Sequence, residues 1–364
     1  MPANHILIPI HDFSAGGTEL IAFRLARLWL AAGRRVSILA GAGDGPLRAR
    51  VPEGVEVHIL SPERPRSALS RLRLGRPMAL AARAIDPDAV FIPGNFHFML
   101  GRALRAALPR SAIVAKASNP VWSSDWIPPA VARALVRQGT NGIDRIIAMA
   151  PSLETDVVRY VTADRVAVID DPFLDDEAVI AARSAASGSG MRLLTVGRLE
   201  PQKDPRLAVS TLKALRAQGH DASLLVLGGG PMLAGLQEQI ARDALGDHVT
   251  LAGYVADPAP YYRAADMLLM SSRFEGVPAV IGEALVTGLP FVATDCSPWL
   301  TALAGNHPAL GTVAMDRSPD TLAAAVIEQA RRPAPSVAQI EAGIGAHRIG
   351  PAAGAYLRLF DSLI

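Results

Sequence analysis

Short apolar runs alternate with helical patterns along almost the whole chain. The runs are apolar on both faces, as strands buried inside a parallel sheet must be. Helical patterns such as Thr18–Ala32 and Ala130–Gln138 lie between them, so the alternation predicts a parallel sheet built from βαβ units. The runs in the first half are His5–Ile10, Val36–Ala40, Val55–Leu60, Ala89–Pro93, Ile113–Ala117, Arg145–Met149 and Val166–Ile169.

The alternation pauses at the small-residue stretch Ser184–Gly190 and then restarts. Two separate series of βα units predict two doubly wound, Rossmann-like domains that face each other across a cleft. We expect a first domain over residues 1–172, a linker over 173–190 and a second domain over 191–345. The runs in the second series are Arg192–Val196, Ser223–Leu227, Val249–Ala252, Met267–Met270 and Phe291–Thr294.

A further helix is predicted in residues 346–364, where Pro351–Ile364 has a helical pattern. This helix either completes the second domain or crosses back to the first. Its candidate buried positions are Tyr356, Leu357, Leu359 and Phe360.

Composition fits two domains in a reducing compartment. Half of the 364 residues are apolar, which is enough for a large core. No apolar run reaches the ~18 residues that span a bilayer, and the N-terminal MPANHILIPI lacks the basic start of a signal peptide. The single cysteine, Cys296, excludes an internal disulfide, and no Cys/His cluster has metal-site spacing. We therefore expect a cytoplasmic protein without a bound metal or cofactor.

Charge is divided unevenly between the halves of the chain. Residues 1–172 carry a net charge of +6 and residues 173–364 carry −4. A basic first half predicts an anionic partner there, which could be a phosphate, an acidic membrane surface or a nucleic acid. The basic half has no interleaved aromatic pattern and no nucleic-acid-binding motif, so we expect no nucleic-acid partner.

The motif GRLEPQKD, Gly197–Asp204, follows a predicted strand and precedes a helix that should begin at Asp204-Pro205, with Asp204 as its N-cap. Arg198 and Lys203 then lie at the carboxyl end of a parallel strand, where α/β sheets bind ligands. Two cations beside a helix N-terminus favour a diphosphate site. The alternative is a solvated surface loop, although the chain has only three lysines.

The motif FEGVPAVIGEALVTGLP, Phe274–Pro290, contains two glutamates eight positions apart. Pro278 suits the first turn of a helix that ends near Gly288. Glu275 then precedes the helix and Glu283 lies in its second turn. Ionised carboxylates accept hydrogen bonds from sugar hydroxyls and ribose diols. An ordinary surface helix with two solvated glutamates is the alternative.

In order and spacing, the second half resembles the C-terminal domain of the retaining GT-B glycosyltransferases of family 4, the "glycosyl transferases group 1" domain. The resemblance covers about 100 residues and implies the GT-B fold, an α/β architecture of two Rossmann-like domains. The matching pieces, in order, are GRLEPQKD, LLVLGGGP, VTLAGYVAD and YYRAADMLLMSSRFEGVPAVIGEALVTGLPFVATD.

The resemblance implies a role for each matching residue. Arg198 and Lys203 correspond to the basic pair on the donor diphosphate, Glu283 to the glutamate that holds the nucleotide ribose, and Glu275 to the one near the donor sugar. Arg198, Lys203 and Glu275 are therefore the candidate catalytic residues. The other donor-binding residues that it implies in this half are Gly229, Val255, Gly276, Val277 and Pro278.

The first half matches more loosely. Gly16-Gly17 opens a predicted helix and resembles the glycine loop of the family, which closes on the donor; a plain strand–helix turn is the alternative. Many members carry a histidine after a strand near the reacting sugar, but Ser118-Asn119 stands there in this chain. Ser and Asn bind hydroxyls without acting as a base near neutral pH. His97 is the nearest alternative, and these three residues are our acceptor-side candidates.

Two further stretches could bind the acceptor. Six arginines from Arg64 to Arg83, including Arg71, lie among apolar residues, so this stretch could contact an anionic membrane or a lipid diphosphate, or be a solvated helix face. Trp122 and Trp126 could form an apolar acceptor wall or pack at a cleft rim.

The sequence therefore predicts a metal-independent, retaining hexosyltransferase that uses a UDP- or GDP-sugar. The acceptor would be a glycan or lipid-linked glycan, at the inner face of the cytoplasmic membrane if the basic domain binds there. Two alternatives stay open: another GT-B enzyme, such as a sugar-nucleotide epimerase or a phosphorylase, and a non-catalytic nucleotide-sugar-binding subunit.

Overall fold

A computed structural model describes residues 2–14, 16–67, 73–121, 128–183 and 190–364. The chain divides into two compact units. The first contains Met1–Asp175 and His347–Ile364, and the second contains Asp176–Ala346. Each unit is an α/β domain with one fully parallel sheet among its described residues.

The first unit is built on a seven-stranded sheet of order β3-β2-β1-β4-β5-β6-β7. Strands β1, β4 and β5 are completely buried, whereas the edge strands β3 and β7 are half-exposed. The expectation that every run is buried on both faces is therefore wrong at the two edges, where a strand has only one neighbour. The strands are β1 (His5–Ile10), β2 (Arg35–Ala40), β3 (Glu56–Ile59), β4 (Ala89–Ile92), β5 (Ala112–Ala117), β6 (Arg145–Ala148) and β7 (Val166–Val168).

Helices connect these strands, as parallel pairing requires. Short 3₁₀ segments, including Asn95–Leu100, complete the connections. The helices of the first unit are α1 (Gly17–Ala31), α2 (Gly75–Ile85), α3 (Gly101–Ala107), α4 (Pro129–Gly139) and α5 (Pro151–Val158).

The second unit repeats the arrangement with six strands in the order β10-β9-β8-β11-β12-β13. Strand β13 was not predicted, because only two of its four residues, GTVA, are apolar; Gly311 leaves room for the Phe291 ring on β12. The strands are β8 (Met191–Val196), β9 (Ala222–Leu227), β10 (Val249–Gly253), β11 (Met267–Met270), β12 (Phe291–Thr294) and β13 (Gly311–Ala314). The helices are α6 (Pro205–Ala217), α7 (Leu233–Arg242), α8 (Ala259–Ala264), α9 (Ala279–Val286), α10 (Pro298–Asn306), α11 (Pro319–Ala330) and α12 (Val337–Ile344).

The last helix, α13 (Ile349–Ser362), packs in the first unit. Tyr356 and Phe360 are fully buried, and the indole of Trp29 lies 6.0 and 5.4 Å from their rings. Leu357 and Leu359, also predicted to be buried, are only half-buried because the buried stripe follows Ala353, Tyr356 and Phe360 at helical spacing.

A buried polar cluster holds the returning chain to the first sheet. On β5, Lys116 Nζ lies 2.7 Å from Asp171 Oδ1, and both side chains are almost completely buried. Nδ1 of His347 lies 2.9 Å from the Asp171 carbonyl oxygen, and the His347 ring stacks on Phe173. Burial lowers the pKa of His347, so we infer a neutral ring whose Nδ1–H donates to that carbonyl.

Candidate functional site

The predicted donor-side residues of the second unit gather at the carboxyl edge of its sheet. Strands β8 and β11 are neighbours there although β9 and β10 lie between them in sequence, so the loops after β8 and β11 flank the point where the strand order reverses. Doubly wound sheets bind ligands at this position. A small pocket at this edge is lined by Gly197, Arg198, Lys203, Ser271, Ser272 and Val280 among others.

The central contact of this site joins Lys203 to Glu275. Lys203 Nζ donates to Glu275 Oε1 over 2.5 Å. The Glu275 side chain is 8% exposed and that of Lys203 is 24% exposed, so solvent reaches the ammonium more easily than the carboxylate. An ammonium group has three donors. Lys203 is therefore able to keep its bond to Glu275 while it contacts an anion.

Arg198 is the more open cation of the pair. Its side chain is 58% exposed, and its Nη1 lies 2.9 Å from Glu200 Oε1. An exposed ion pair of this kind contributes little to stability. The guanidinium is therefore available to exchange Glu200 for a phosphate at small cost.

The loop that carries Glu275 is held by hydrogen bonds to the loop that follows β12. The Glu275 N–H donates to the Cys296 carbonyl over 2.8 Å, and the Ser297 hydroxyl donates to the Gly276 carbonyl. Gly276, Val277 and Pro278 are buried beside it. Burial, together with the charge of Glu275, raises the pKa of the Cys296 thiol to about 12, so the thiol stays neutral.

Asp204 occupies the N-cap position of α6, as predicted, but its side chain does not cap the helix. The residue has a left-handed backbone (φ 44°). Its carboxylate instead accepts from Arg317 over 2.7 Å and pairs with Arg273 over 2.9 Å. Arg317 also donates to the Ser271 and Ser272 carbonyls. The predicted start of the helix at Asp204-Pro205 is therefore confirmed, while the Asp204 side chain joins the loops after β8, β11 and β13.

The glycine run after β9 packs directly on the loop after β8. A Cβ atom at Gly228 would lie 1.9 Å from the Gly197 carbonyl oxygen, and one at Gly230 would lie 2.6 Å from that of Leu199. Gly229 differs, because a Cβ atom there would meet nothing within 4 Å. Packing thus requires Gly228 and Gly230, whereas Gly229 borders open space, as a donor-binding residue would.

Glu283 lies in the second turn of α9, as predicted, while Pro278 is the N-cap and not part of the first turn. The Tyr262 hydroxyl donates to Glu283 Oε2 over 2.8 Å. Val255 is half-buried two residues beyond Gly253, whose φ of 70° turns the chain at the end of β10. The donor-side candidates of this unit therefore come from the loops after β8, β9, β10 and β11 and from α9.

In the first unit, Gly16 is the N-cap of α1 and Gly17 is its first residue. A Cβ atom at Gly16 would lie 2.3 Å from Glu19 Oε2, whereas one at Gly17 would meet nothing within 4 Å. Burial raises the pKa of the Glu19 carboxyl. A carboxyl group of the chain itself therefore lies beside this helix N-terminus, next to the predicted glycine loop.

The acceptor-side candidates follow β4 and β5, so they lie near the carboxyl edge of the first sheet, where α1 also begins. A Cβ atom at Gly94 would lie 2.7 Å from Ser118 Oγ and 2.8 Å from Thr18 Cγ2, so Gly94 lets the loops after β4 and β5 approach α1. Asn95 Nδ2 donates to the Asn119 carbonyl over 2.9 Å. His97, on the 3₁₀ segment that follows β4, is 3% exposed and is therefore buried.

Sequence reasoning missed an ion pair at this edge. Arg66 binds both carboxylate oxygens of Asp12 over 3.0 Å and lies over the Phe96 ring. Burial alone would raise the pKa of Asp12, but hydrogen bonds from Arg66 and Ser14 lower it to about 2. Asp12 and Arg66 are 54 positions apart, so no local pattern in the sequence indicates their contact. Arg71 of the same basic stretch, and Trp122 and Trp126, lie outside the described residues.

The described part of the chain lacks two features, a membrane-spanning helix and a cluster of metal ligands. None of its helices has the length and apolar character needed to cross a bilayer. It also contains no group of three or more His, Cys, Asp or Glu side chains placed to hold a metal ion.

Comparison with known families matches both halves of the chain. A profile described as "Glycosyltransferase Family 4" matches residues 15–172, and one described as "Glycosyl transferases group 1" matches residues 190–331. Together the two matches span most of the chain, as the resemblance in the sequence predicted.

Individual relatives agree with these profiles. A D-inositol 3-phosphate glycosyltransferase of Catenulispora acidiphila is 27% identical over 358 residues, which cover 87% of this chain and 83% of that protein. A GDP-mannose-dependent phosphatidylinositol monomannoside mannosyltransferase of Mycobacterium tuberculosis is 32% identical over 150 residues, which cover 39% of this chain and 38% of that protein. Several other relatives match over a similarly short stretch, so the chain spans only 25% to 38% of their length.

Among solved structures, HepE of Anabaena in complex with UDP has a TM-score of 0.75 to this chain at 20% identity. The match covers 98% of this chain and 100% of that one. The similarity confirms the predicted α/β, GT-B class of two Rossmann-like domains.

Proposed function

The chain belongs to glycosyltransferase family 4, and from this premise we propose that it is a retaining glycosyltransferase that uses a UDP- or GDP-sugar. The sugar, a hexose, goes to a glycan or lipid-linked glycan in cell-surface polysaccharide synthesis. The observation that carries the proposal is the Lys203–Glu275 contact at the reversal point of the second sheet, with Arg198 on the same loop.

In this proposal the donor diphosphate lies against Arg198 and Lys203. Cations placed where negative charge develops lower the barrier to bond cleavage. They supply the charge stabilisation that a metal ion provides in other transferases, so the proposed reaction needs no metal and no cofactor. Glu275 holds the Lys203 ammonium and lies near the donor sugar. We propose that Gly229, in the loop after β9, and Gly276, Val277 and Pro278, in the loop after β11, also contact the donor.

The nucleoside is proposed to bind at the adjacent loops. Glu283 accepts from the ribose hydroxyls, and backbone groups at Val255 meet the base. The proposal includes both UDP and GDP, because one relative is named as GDP-mannose-dependent and the structural neighbour was solved with UDP. The donor contacts that the resemblance implies for Gly16 and Gly17 stay a prediction from the sequence.

The transfer step needs no histidine. The bond between the anomeric carbon and the leaving phosphate oxygen breaks, and a bond to the acceptor oxygen forms on the same face. The leaving phosphate oxygen takes the proton of the acceptor hydroxyl. Ser118, Asn119 and His97 are proposed to orient the acceptor, which is consistent with the Ser-Asn pair in place of a base.

A lipid-linked acceptor would bring the enzyme to a membrane, and we propose that the first unit contacts it. Helices α2, α3 and α4 contain no Asp or Glu, and each packs against another of the group or against the 3₁₀ segment Asn95–Leu100. Leu80, Met99, Val131 and Leu135 are 44% to 60% exposed on these elements. Exposed arginines accompany them: Arg76, Arg83, Arg102, Arg133 and Arg137. Exposed apolar side chains beside exposed arginines suit an anionic leaflet, and the protein would act at the inner face of the cytoplasmic membrane.

Three alternative functions make different predictions. A phosphorylase would need a lysine free to bind pyridoxal phosphate. All three lysines form ion pairs, with Asp171, Glu275 and Asp243. An absorbance band of bound pyridoxal phosphate in the purified protein would favour the phosphorylase. A non-catalytic subunit would bind a nucleotide sugar and release no sugar from it. An epimerase would change the sugar without passing it to an acceptor.

A transfer assay with product analysis tests the proposal. The protein is incubated with ¹³C-labelled UDP- and GDP-hexoses and a bacterial lipid extract as acceptor, and the anomeric configuration of the product is read by NMR. The proposal predicts a new glycoside with the anomeric configuration of the donor. A product of opposite configuration would refute the retaining mechanism, and an epimerised nucleotide sugar would favour the epimerase.

A further inference from the structure

Tyr262 is a buried residue whose hydroxyl reaches an exposed carboxylate. It lies on the short helix α8 and is 1% exposed, while Glu283 on α9 is exposed. Its hydroxyl donates to Glu283 Oε2 over 2.8 Å. The ring therefore fills the core while its polar end fixes a surface side chain.

The direction of this hydrogen bond is set by burial. Burial and the neighbouring Glu283 charge raise the pKa of Tyr262 far above its ordinary value, so the hydroxyl keeps its proton. The hydroxyl is therefore the donor and the carboxylate the acceptor. Hydrogen bonds to ionised groups are shorter and stronger than neutral ones, so Tyr262 is a firm constraint on the Glu283 side chain.

The tyrosine is itself held in place. The Tyr262 carbonyl accepts from Arg183 Nη1 over 3.2 Å, and Arg183 also donates to the Ala265 carbonyl. These contacts tie the end of α8 to the segment that precedes the second sheet. A glutamate side chain has several rotamers, and ordering it on binding costs free energy, which the hydrogen bond from Tyr262 lowers in advance.

We propose that Tyr262 is a positioning residue that orients the Glu283 carboxylate to receive the ribose hydroxyls of the donor nucleotide. The inference rests on the proposed function, since it concerns the same donor site. It predicts selectivity: losing the tyrosine hydroxyl should weaken binding of nucleotides that have a ribose diol, and spare those that lack it.

Calorimetric titration with UDP, GDP and their 2′,3′-dideoxy forms tests this inference. Tyr262→Phe keeps the ring in the core and removes only the hydroxyl. We expect its Kd for the better of UDP and GDP to rise by about three- to tenfold, the range of one net hydrogen bond. Its Kd for the dideoxy form should stay within twofold of wild type. Tyr261→Phe, one position earlier on α8, is the matched control and should change neither value.

A second variant tests the same geometry from the other side. Glu283→Asp keeps the charge and draws the carboxylate back from Tyr262, so it should give a similar selective loss even if Tyr262→Phe folds poorly. In a Glu283→Ala background, Tyr262→Phe should have no further effect on affinity.

Three results would overturn the inference. Unchanged affinity of Tyr262→Phe for UDP and GDP would remove the positioning role, and an equal loss for the dideoxy forms would show a merely structural one. Wild-type protein that binds neither UDP nor GDP would refute the proposed donor, and the inference with it.

Discussion

Lys203 Nζ lies 2.5 Å from Glu275 Oε1, although the two residues are separated by 72 positions in the chain. The lysine follows β8 and the glutamate follows β11, two strands that pair side by side. The pair therefore depends on the order of strands in the sheet, and it joins the two motifs to which we assign donor binding.

Replacing Lys203 tests the phosphate role. Lys203→Ala should lower donor turnover by about 100-fold, the effect of removing one group that stabilises transition-state charge. The fold should remain, with a loss of about 1 to 3 kcal/mol because the mostly buried Glu275 carboxylate loses its cation. Steady-state kinetics and urea unfolding measure the two effects.

Two variants separate these effects. Lys203→Met/Glu275→Gln removes both charges and should recover most of the lost stability without recovering turnover. Lys213→Ala breaks an exposed pair with Asp243 in the same unit and should leave kinetics unchanged. Wild-type kinetics for Lys203→Ala would refute the phosphate role.

The glycine run after β9 offers a matched pair of substitutions. Gly228→Ala should be strongly destabilised because its Cβ would lie 1.9 Å from the Gly197 carbonyl oxygen, whereas Gly229→Ala meets open space and should fold normally. If donor phosphates approach the backbone at Gly229, its methyl group should weaken nucleotide-sugar binding several-fold. Thermal unfolding and calorimetry measure the two properties. Normal donor affinity in a folded Gly229→Ala variant would remove Gly229 from the donor site.

Cys296 should be almost unreactive in the folded protein. Its pKa is raised to about 12, mainly by burial, so its nucleophilic thiolate form is scarce at pH 8, where an exposed thiol of pKa about 8.5 reacts readily. It is the only cysteine, so one thiol is followed without interference. The reaction with Ellman's reagent should be slow in buffer at pH 8 and fast in denaturing urea. Fast labelling of the native protein at pH 8 would contradict the burial of this residue behind Glu275.

Vesicle binding tests the proposed membrane surface. The protein should sediment with phosphatidylglycerol vesicles and not with phosphatidylcholine vesicles, and less so in high salt. Arg133→Glu/Arg137→Glu on α4 should weaken this binding at least about tenfold, since each basic residue near an anionic surface contributes ~1 kcal/mol. Arg242→Glu/Arg331→Glu in the second unit makes the same charge change and should have little effect. Equal losses in both pairs would indicate attraction by overall charge and not by this surface.

The sequence predicted the sheets and the donor-side loops well because both depend on local signals. Apolar runs marked twelve of the thirteen strands that the structure describes, and proline and glycine marked the ends of α9. Strand β13 was missed because its packing depends on Phe291 of a neighbouring strand, a contact that no local pattern records.

Long-range side-chain pairing was the part that the sequence could not predict. Asp204 looked like a helix cap, but Arg317, 113 positions away, competes for its carboxylate. The Asp12–Arg66 and Lys116–Asp171 pairs likewise form between elements that only the fold brings together. Tyr262 stood within a motif that resembles the family, yet its bond to Glu283 depends on how α8 packs beside α9.

Turnover of radiolabelled donors by purified protein tests the proposed function most directly. A panel of UDP- and GDP-hexoses is incubated with wild type, Lys203→Met/Glu275→Gln and Lys213→Ala in the presence of a lipid extract, and sugar released or transferred is counted. The proposed function predicts turnover of at least one donor by wild type and Lys213→Ala, and none above background by the double variant. Binding of a nucleotide sugar with no turnover of any donor would contradict it and identify the protein as a binding subunit.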